Sequence, residues 1–486
     1  MKNAREPRIA VIGAGMSGIL WGIKLQEAGL HDFQIYEKNP QLGGTWYENT
    51  YPGLSCDVPS HLYRYSFEPN PDWSHTFSPG AEIRDYFERI TNKYDVERFI
   101  SFNKELTECI WKDGRWHLQM QDGHEDVADI VISASGVLHH PSYPDIKGLD
   151  SFGGACFHSS RWDHSVPIDG KRVGVIGTGS TGIQIVSAVV ERAQKLCLFQ
   201  RTAQWIMPQA NVPYSDEEKS AFRKDPAALH NIYTELSKSF SEGFATALVD
   251  AESEGMKMLE DMCRTNLEEN VHDPELREKL RPNYRAACKR LVISGEFYGA
   301  IQHPNAQLVT EDIECIEPTG VRTADGQLHE LDVLVLATGF NAHQFMRPMN
   351  IVGRDGITLD DVWPDTTHAY RSVSIPGFPN FFMTMGPHSP VGNFSLIEIA
   401  ELQLAYLMQL IGLIRSGEYR EIAALPEATE KFNKERIEAA QSTIWASGCK
   451  SWYLDATGIP ASWPWSFQRF HDEMAHPHLE DFELIS

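Results

Sequence analysis

The first two hundred residues alternate short apolar runs with glycine-containing loops and amphipathic stretches. Residues 8–12 (RIAVI) have the pattern of a buried strand, and a glycine-rich loop follows directly. The stretch Ile19–Gly29 has helical character, and a second apolar run, Asp32–Tyr36, ends at Glu37. A strand, a loop, a helix and a strand in this order predict a parallel β-α-β unit.

The pattern occurs a second time. A strand over Arg172–Ile176 leads into another glycine loop, a helix from Ile183 and a strand over Leu196–Gln200. Both loops have the spacing GxGxxG, on Gly13, Gly15 and Gly18 in the first copy and on Gly177, Gly179 and Gly182 in the second. Nineteen positions after the last glycine stands Glu37 in the first copy and Arg201 in the second.

The difference between Glu37 and Arg201 separates the two loops chemically. Glycines let the backbone approach a pyrophosphate, which the helix N-terminus faces. Glu37 would accept the ribose hydroxyls, whereas Arg201 would attract a 2′-phosphate. The sequence therefore predicts an FAD-like site followed by an NADPH-like site. Further contact residues are predicted at Met16, Ser17 and Lys38 in the first site, and at Thr178, Ser180, Thr181 and Thr202 in the second.

The rest of the chain completes the predicted organisation. Asp129–Val137 and Leu331–Phe340 have the pattern of strands that return to a nucleotide-binding sheet. We predict an α/β fold with two Rossmann-like dinucleotide-binding domains and a helical insertion. The predicted FAD-binding domain comprises residues 1–142 and 346–486, the NADP-binding domain residues 143–212 and 286–345, and the charged, helix-favouring insertion residues 213–285.

Composition and charge exclude several other classes. A net charge of −24 argues against general affinity for nucleic acid or anionic membranes. The most apolar stretch, Leu402–Ile414, has 13 residues, and a spanning helix needs about 20, so we expect a buried or groove-lining helix. The eight cysteines have no CxxC spacing, and the N-terminus has no apolar signal core. We therefore expect reduced thiols, a cytoplasmic protein and no metal site.

Several motifs resemble those of one enzyme family. The segment GGTWYENTYPGLSCD (43–57) resembles the segment that flavin-dependent Baeyer–Villiger monooxygenases place against their flavin ring. FGGACFHSSRWD (152–163) fills every fixed position of that family's FxGxxxHxxxW(P/D) signature. CKRL (288–291), ATGF (337–340) and KSWYLDATGIP (450–460) also resemble family segments. The resemblance covers nearly the whole chain and is weakest across the insertion.

The resemblance implies an activity and roles for several residues. The family uses FAD, NADPH and O2 to convert a ketone into an ester or lactone through a peroxyflavin. Arg290 would be the catalytic arginine, stabilising the anions that form, and Asp57 would orient it. Sulfoxidation is an expected side activity. Cofactor contacts implied by the resemblance are Gly44, Thr45, Trp46 and Tyr63 for the flavin, and Lys289 and Trp452 for NADPH.

Other interpretations of the same residues stay open. Arg290, Lys289 and Arg201 could be solvated cations, Asp57 a turn residue, and Trp46 and Tyr63 core aromatics. His158 of the signature is interpreted as structural rather than as a base. The sequence LVISGEFYG after Arg290 departs from the family pattern, and this departure concerns the substrate pocket more than the chemistry. The alternative functions are an N- or S-oxidising flavin monooxygenase and a non-oxygenating FAD- and NADP-binding protein. Neither the ketone nor the oligomeric state follows from the sequence.

Overall fold

The computed structural model describes residues 6–486, which form two parallel sheets with helices and smaller sheets around them. In chain order the strands are β1 (Ile9–Ile12), β2 (Phe33–Tyr36), β3 (Ile100–Ser101), β4 (Leu106–Lys112), β5 (Arg115–Met120), β6 (Glu125–Ala128), β7 (Ile130–Ser133), β8 (Ala155–His158), β9 (Arg172–Ile176), β10 (Lys195–Phe199), β11 (Ile206–Met207), β12 (Val292–Ile293), β13 (Ala306–Val309), β14 (Ile313–Glu317), β15 (Gly320–Thr323), β16 (Leu328–Glu330), β17 (Val333–Leu336), β18 (Asn350–Val352), β19 (Phe381–Met383), β20 (Glu421–Ala424) and β21 (Phe482–Ile485).

The α-helices are α1 (Met16–Glu27), α2 (Thr45–Glu48), α3 (Gly80–Lys93), α4 (Ser180–Val189), α5 (Asp216–Lys224), α6 (Pro226–Lys238), α7 (Ala245–Val249), α8 (Glu254–Asn270), α9 (Pro274–Lys279), α10 (Phe297–Ile301), α11 (Leu359–Val362), α12 (Leu396–Arg415), α13 (Pro426–Ala440) and α14 (Phe467–Ala475). A π-helical turn, Ser239–Phe244, lies between α6 and α7.

Each glycine loop lies in the middle of a five-stranded parallel sheet. The first sheet has the order β19-β7-β1-β2-β3, and the second has the order β13-β10-β9-β17-β8. The loops follow the central strands β1 and β9, whose residues are almost completely buried. The predicted fold class, α/β with two Rossmann-like sheets, is confirmed.

The helices after the two glycine loops begin earlier than the sequence predicts. We expected them to start at Ile19 and Ile183, whereas α1 starts at Met16 and α4 at Ser180. Gly15 and Gly179 occupy the N-cap positions. Each helix therefore begins directly after the second glycine, which brings its free N-terminal amides to the carboxyl edge of its sheet.

Two chain segments connect the sheets side by side. The Ser142 amide donates to the Gly339 carbonyl at 2.8 Å, and the Asn341 amide donates to the His140 carbonyl at 2.9 Å. The buried His158 lies on this crossing, where its Nε2 is 3.0 Å from the Gly339 carbonyl and its Nδ1 accepts from the Ser160 amide at 3.2 Å. Both ring nitrogens thus have backbone partners, which favours the structural interpretation of this histidine.

The helices α5–α9 lie within residues 213–285, and α6 contacts α12. Glu398 of α12 accepts hydrogen bonds from Ser237 at 2.6 Å and Tyr233 at 3.2 Å. The Arg64 guanidinium lies 4.5 Å from the centre of the Tyr233 ring. Among residues 6–486, α12 is the one helix long and apolar enough to cross a membrane, and 56% of its most apolar window is buried inside the fold.

Candidate active site

The first glycine loop is shaped by two close backbone approaches. Gly13 has φ +103°, and a Cβ there would lie 2.7 Å from the carbonyl oxygen of Ala134. A Cβ at Gly18 would lie 1.9 Å from the Gly13 carbonyl oxygen. Any side chain at these positions would force β1, α1 and β7 apart. Gly13 and Gly18 therefore fix the loop against the sheet and the helix, as the dinucleotide fold requires.

A long cleft opens over this loop, and its empty volume, open mouth included, is about 1500 Å³. A Cβ on Gly44 would lie 3.0 Å from the Cα of Gly15, so two glycine backbones face each other across the cradle. Ten residues predicted to contact FAD line the cleft, namely Gly13, Gly15, Met16, Ser17, Glu37, Lys38, Gly44, Thr45, Trp46 and Tyr63. Gly18 packs beneath them. The bare glycine surface and the apolar walls suit a flat, extended dinucleotide.

Glu37 ends β2 at the cleft with its carboxylate already held. One oxygen accepts from the Ala14 amide at 2.8 Å and the other from the Asn39 amide at 2.8 Å. Burial raises the pKa of Glu37, and the two amide hydrogen bonds oppose that rise. Lys38 forms an ion pair with Glu48 at 3.0 Å. The free lone pairs of Glu37 remain available for ribose hydroxyls.

Trp46 and Tyr63 form an aromatic wall of the same cleft. Their rings meet edge to face with centroids 5.7 Å apart, and the Trp46 indole donates to the Tyr63 hydroxyl at 3.2 Å. Each is 8% exposed and belongs to the hydrophobic core of the first sheet. Trp46 and Tyr63 are therefore core aromatics, as the alternative interpretation had it, and they also line the cleft.

The second glycine loop repeats the geometry of the first. Gly177 has φ +113°, and a Cβ at Gly182 would lie 2.1 Å from the Gly177 carbonyl oxygen. A Cβ at Gly179 would meet nothing within 4 Å, so this glycine faces open space. Thr178 donates through its hydroxyl to the Thr202 carbonyl at 2.8 Å, which joins the loop to the end of β10. Ser180 and Thr181 form the first turn of α4.

Two cations lie together beyond this loop. Lys289 and Arg201 are close enough for Arg201 to lower the pKa of Lys289, an effect second only to that of burial. The Lys289 ammonium also lies 4.9 Å from the centre of the Tyr284 ring. Within residues 6–486 neither cation has a carboxylate partner. Two neighbouring cations without an acid are the arrangement that a phosphate monoester requires.

The structure brings Arg290 and Asp57 together across 233 positions of sequence. The Arg290 guanidinium donates to the Asp57 carboxylate at 2.5 Å, and their side chains are 32% and 24% exposed. Burial by itself lowers the pKa of Arg290, but the interactions with Asp57 and Tyr453 together outweigh burial and the net shift is upward. The guanidinium therefore stays charged at every working pH.

A disulfide lies next to this arginine, and it corrects one expectation. Cys288 and Cys449, 161 positions apart, are bonded, so the expectation of reduced thiols is wrong for this pair. The other six cysteines are free. The bond ties the segment that carries Lys289 and Arg290 to the segment that carries Trp452. Trp452 lines a separate pocket with His343, whose Nε2 lies 2.8 Å from the Trp452 carbonyl oxygen.

A small pocket beside Arg290 contains residues that sequence reasoning missed. Its empty volume is about 330 Å³, and Arg290, Asp57 and Tyr453 provide its polar side chains. Its other wall residues are Phe240, Phe244, Leu248, Ala287, Leu291, Ile293 and Gly392. Phe240 and Phe244 come from the insertion, and Gly392 comes from the loop before α12. Tyr453 directly follows Trp452, and that adjacency was the one signal available for it.

One chain segment contributes to both pockets: Val391 lines the long cleft, and the next residue, Gly392, lines the small pocket. Two dinucleotide folds, a pair of neighbouring cations beyond the second loop and an arginine at an apolar pocket indicate a class: flavoproteins that are reduced by a nicotinamide cofactor.

Comparison with known proteins identifies the family. The sequence profile of the flavin-binding monooxygenase-like family matches residues 6–352, and the chain belongs to this family. An uncharacterized monooxygenase of Mycobacterium tuberculosis is 48% identical over 484 residues, covering 99% of this chain and 97% of that protein. A Baeyer–Villiger monooxygenase of Streptomyces coelicolor is 36% identical over 486 residues, covering 98% of this chain and 92% of that protein.

Solved structures agree with this assignment. Cyclohexanone monooxygenase from Rhodococcus sp. Phi1 bound to NADP+ has a TM-score of 0.88 at 30% identity, covering 99% of both chains. OTEMO in complex with FAD and NADP has a TM-score of 0.88 at 28% identity, covering 99% of this chain and 100% of that one. The predicted resemblance is confirmed, and so is the predicted enzyme class, an NADPH-dependent flavoprotein monooxygenase of the Baeyer–Villiger type with FAD and NADPH as cofactors.

Proposed function

We propose that this enzyme oxidises small apolar ketones, consuming NADPH, a proton and O2 and producing an ester or lactone, NADP+ and water. The observation that carries the proposal is the Arg290–Asp57 ion pair at the wall of an apolar pocket, whose wall residue Gly392 directly follows Val391 of the long cleft. A fixed positive charge in such a pocket suits an anion that develops during oxygen transfer. The proposal fits Gly13, Gly15, Glu37 and Gly44 holding FAD, and Arg201 and Lys289 holding the 2′-phosphate of NADPH.

The division of work follows from the side chains. Bound FAD, once reduced, would supply the activation of O2. Arg290 would stabilise negative charge on the reacting oxygens, and it cannot lose its proton to them because its pKa is raised. Asp57 would hold the guanidinium in place and is acceptor-only. Phe240, Phe244 and Leu248 would exclude water from the reacting atoms.

The lining of the small pocket supports the proposed substrate class. Apart from Arg290, Asp57 and Tyr453, its walls are apolar. No lysine lines the pocket, and its arginine and aspartate pair with each other. We therefore infer a cyclic, linear or aryl ketone without an ionised group. Sulfides of the same size would fit the same walls, so sulfoxidation stays a predicted side activity.

The test compares Arg290→Ala with Arg281→Ala, which removes an arginine that pairs with Glu278 outside the pocket. Anaerobic reduction of the flavin by NADPH should survive in both variants. Ester formation from a panel of small ketones should fall about 100-fold or more in Arg290→Ala and stay at the parent rate in Arg281→Ala. Ester formation at the parent rate in Arg290→Ala would refute the role of Arg290.

The parent enzyme alone decides among the functions. Ester with one oxygen atom from 18O2 supports the proposal. Oxygenated amines without ester would favour an N-oxidising monooxygenase, and peroxide release with every substrate would favour a non-oxygenating protein. We also infer a cytoplasmic location without a membrane span, which fractionation of the producing cell would test. The side chains of Leu407, Leu410 and Ile411 on α12 are completely buried, which supports that inference.

A further inference from the structure

Tyr453 is the one polar group of the small pocket that the mechanism above does not use. It is 3% exposed, yet it lines the pocket together with Arg290 and Asp57. Its ring packs against Trp452 with centroids 4.2 Å apart and against Trp445 with centroids 5.1 Å apart. Rings on two sides fix the direction of the phenol.

Gly392 makes room for the hydroxyl of Tyr453 beside Arg290. A Cβ at Gly392 would lie 2.1 Å from the Tyr453 hydroxyl oxygen and 3.1 Å from Nη1 of Arg290. Any other residue at position 392 would displace one of these groups. The glycine also has φ +100°, which side-chain-bearing residues rarely adopt. The backbone is thus shaped around the contact between the phenol and the guanidinium.

Hydrogen-bond chemistry assigns the proton. A guanidinium has donors and no acceptor, so Arg290 can only act as the donor in its contact with the phenol oxygen of Tyr453. The phenol proton is then free for another acceptor. Burial raises the pKa of Tyr453 above its ordinary value, and Arg290 opposes the rise, so the phenol stays protonated at neutral pH. Asp57 cannot donate, and the other side chains of the pocket are apolar.

We propose that Tyr453 is a second hydrogen-bond donor of the active site, which donates its phenolic proton to the carbonyl oxygen of the bound ketone. It would orient the carbonyl and stabilise the negative charge that its oxygen gains when the carbonyl is attacked. Arg290 and Tyr453 together would then act as a two-donor site for an oxyanion. The inference rests on the function proposed above.

The test is Tyr453→Phe, which keeps the ring and removes the hydroxyl. The matched control is Tyr298→Phe, because the Tyr298 hydroxyl is buried without a partner and lies outside the pocket. In Tyr453→Phe we expect kcat/KM for ketones to fall about 10- to 100-fold, with NADPH oxidation diverted to hydrogen peroxide. Anaerobic flavin reduction by NADPH should keep the parent rate in both variants.

A binding measurement on the oxidised enzyme gives a readout independent of turnover. Calorimetry with cyclohexanone should show affinity about tenfold weaker in Tyr453→Phe than in the parent. The affinity for methylenecyclohexane, which has the same shape and no carbonyl oxygen, should not change. Equal losses for both ligands would show that the phenol only supports the pocket wall, and would overturn the inference.

The outcomes also separate this inference from the proposed function. Unchanged ester yield per NADPH in Tyr453→Phe, from a parent that makes ester, would overturn the role of Tyr453 alone. A parent that makes no ester from any ketone would refute the proposed function, and the role of Tyr453 with it.

Discussion

Arg290 carries a charge that the fold balances with a single carboxylate, Asp57. A Cβ placed at Gly392 would lie 3.1 Å from Nη1 of Arg290. Ala287, three residues before the arginine, has φ +62°. The backbone on both sides is thus bent to bring this cation to the pocket. Because both charges are about a quarter to a third exposed, the pair contributes to positioning more than to stability.

Asp57→Asn should therefore damage catalysis more than folding. The amide keeps the shape but lacks the charge that holds the guanidinium, so we expect ester formation to fall about tenfold or more and the free energy of unfolding to change by about 1 kcal/mol or less. The control is Asp169→Asn, which weakens an exposed pair with Arg192. Steady-state kinetics and thermal unfolding measure the two effects. A large loss of stability with normal specific activity would assign Asp57 a structural role.

We predict that Arg201 and Lys289 determine the preference for NADPH over NADH. Arg201→Ala removes half of a cation pair that lacks a carboxylate, so we expect KM for NADPH to rise about tenfold or more while KM for NADH changes little. The preference for NADPH in the parent should weaken with added salt, because Arg201 is exposed and screened. Arg192→Ala, in the turn between α4 and β10, is the control. Equal effects on both cofactors would contradict a 2′-phosphate site.

At the scale of elements, substitutions at Gly182 and Gly179 should have different effects, one on the packing of α4 and the other on NADPH binding. Gly182→Ala would place a Cβ 2.1 Å from the Gly177 carbonyl oxygen and force α4 away from β9, so we expect destabilisation of about 2 kcal/mol or more. Gly179→Ala meets open space, so the fold should keep its stability while KM for NADPH rises. Thermal unfolding and NADPH titration of both variants provide the measurement. Similar behaviour of the two would refute this division of roles.

The disulfide joins two elements of the site, and its removal should loosen them. Replacing Cys288 and Cys449 by serine releases a loop of 161 positions, for which we expect a loss of about 2–4 kcal/mol. Lys289, Arg290 and Tyr453 should lose alignment, so kcat should fall as well. Cys263→Ser, at a buried free cysteine, is the control. Full activity and stability in the double variant would mean that the disulfide contributes neither to stability nor to the alignment of the site.

The same elements show how far sequence reasoning reaches. Local sequence patterns predicted both β-α-β units. The spacing of apolar residues, the glycine motif and the residue at the end of the second strand all lie within about 30 positions of one another. They missed Tyr453, whose phenol is indistinguishable from a core aromatic without the space left by Gly392. They also missed the bond between Cys288 and Cys449, since no local spacing connects them. The predicted domain boundaries and the role of each site residue stay predictions.

At the scale of the whole molecule, a turn from the first sheet's domain contacts a helix that follows the glycine loop of the second sheet. The turn before Asp57 packs on α4, where a Cβ at Gly53 would lie 2.6 Å from the Gln184 carbonyl oxygen. The Gln184 side chain accepts from Tyr51 at 2.8 Å and donates to the Ser55 carbonyl at 3.1 Å. The helix that starts at the second glycine loop thus also holds the segment that ends in Asp57.

This contact predicts that NADP+ stabilises the retention of FAD, although the two cofactors occupy different sheets. A ligand that binds the folded form alone raises its stability by about 2.7 kcal/mol at a hundred times its dissociation constant. If the sheets unfold together, saturating NADP+ should raise the temperature of flavin release, measured by flavin fluorescence, as much as it raises the temperature of global unfolding.

Gln184→Ala removes these side-chain hydrogen bonds, so the NADP+-induced rise in the flavin-release temperature should shrink while the NADP+ affinity persists. Ser187→Ala, whose hydroxyl bonds within α4, is the control. If NADP+ did not change the flavin-release temperature of the parent, the two sheets would unfold independently. The turn before Asp57 would then not couple their stabilities.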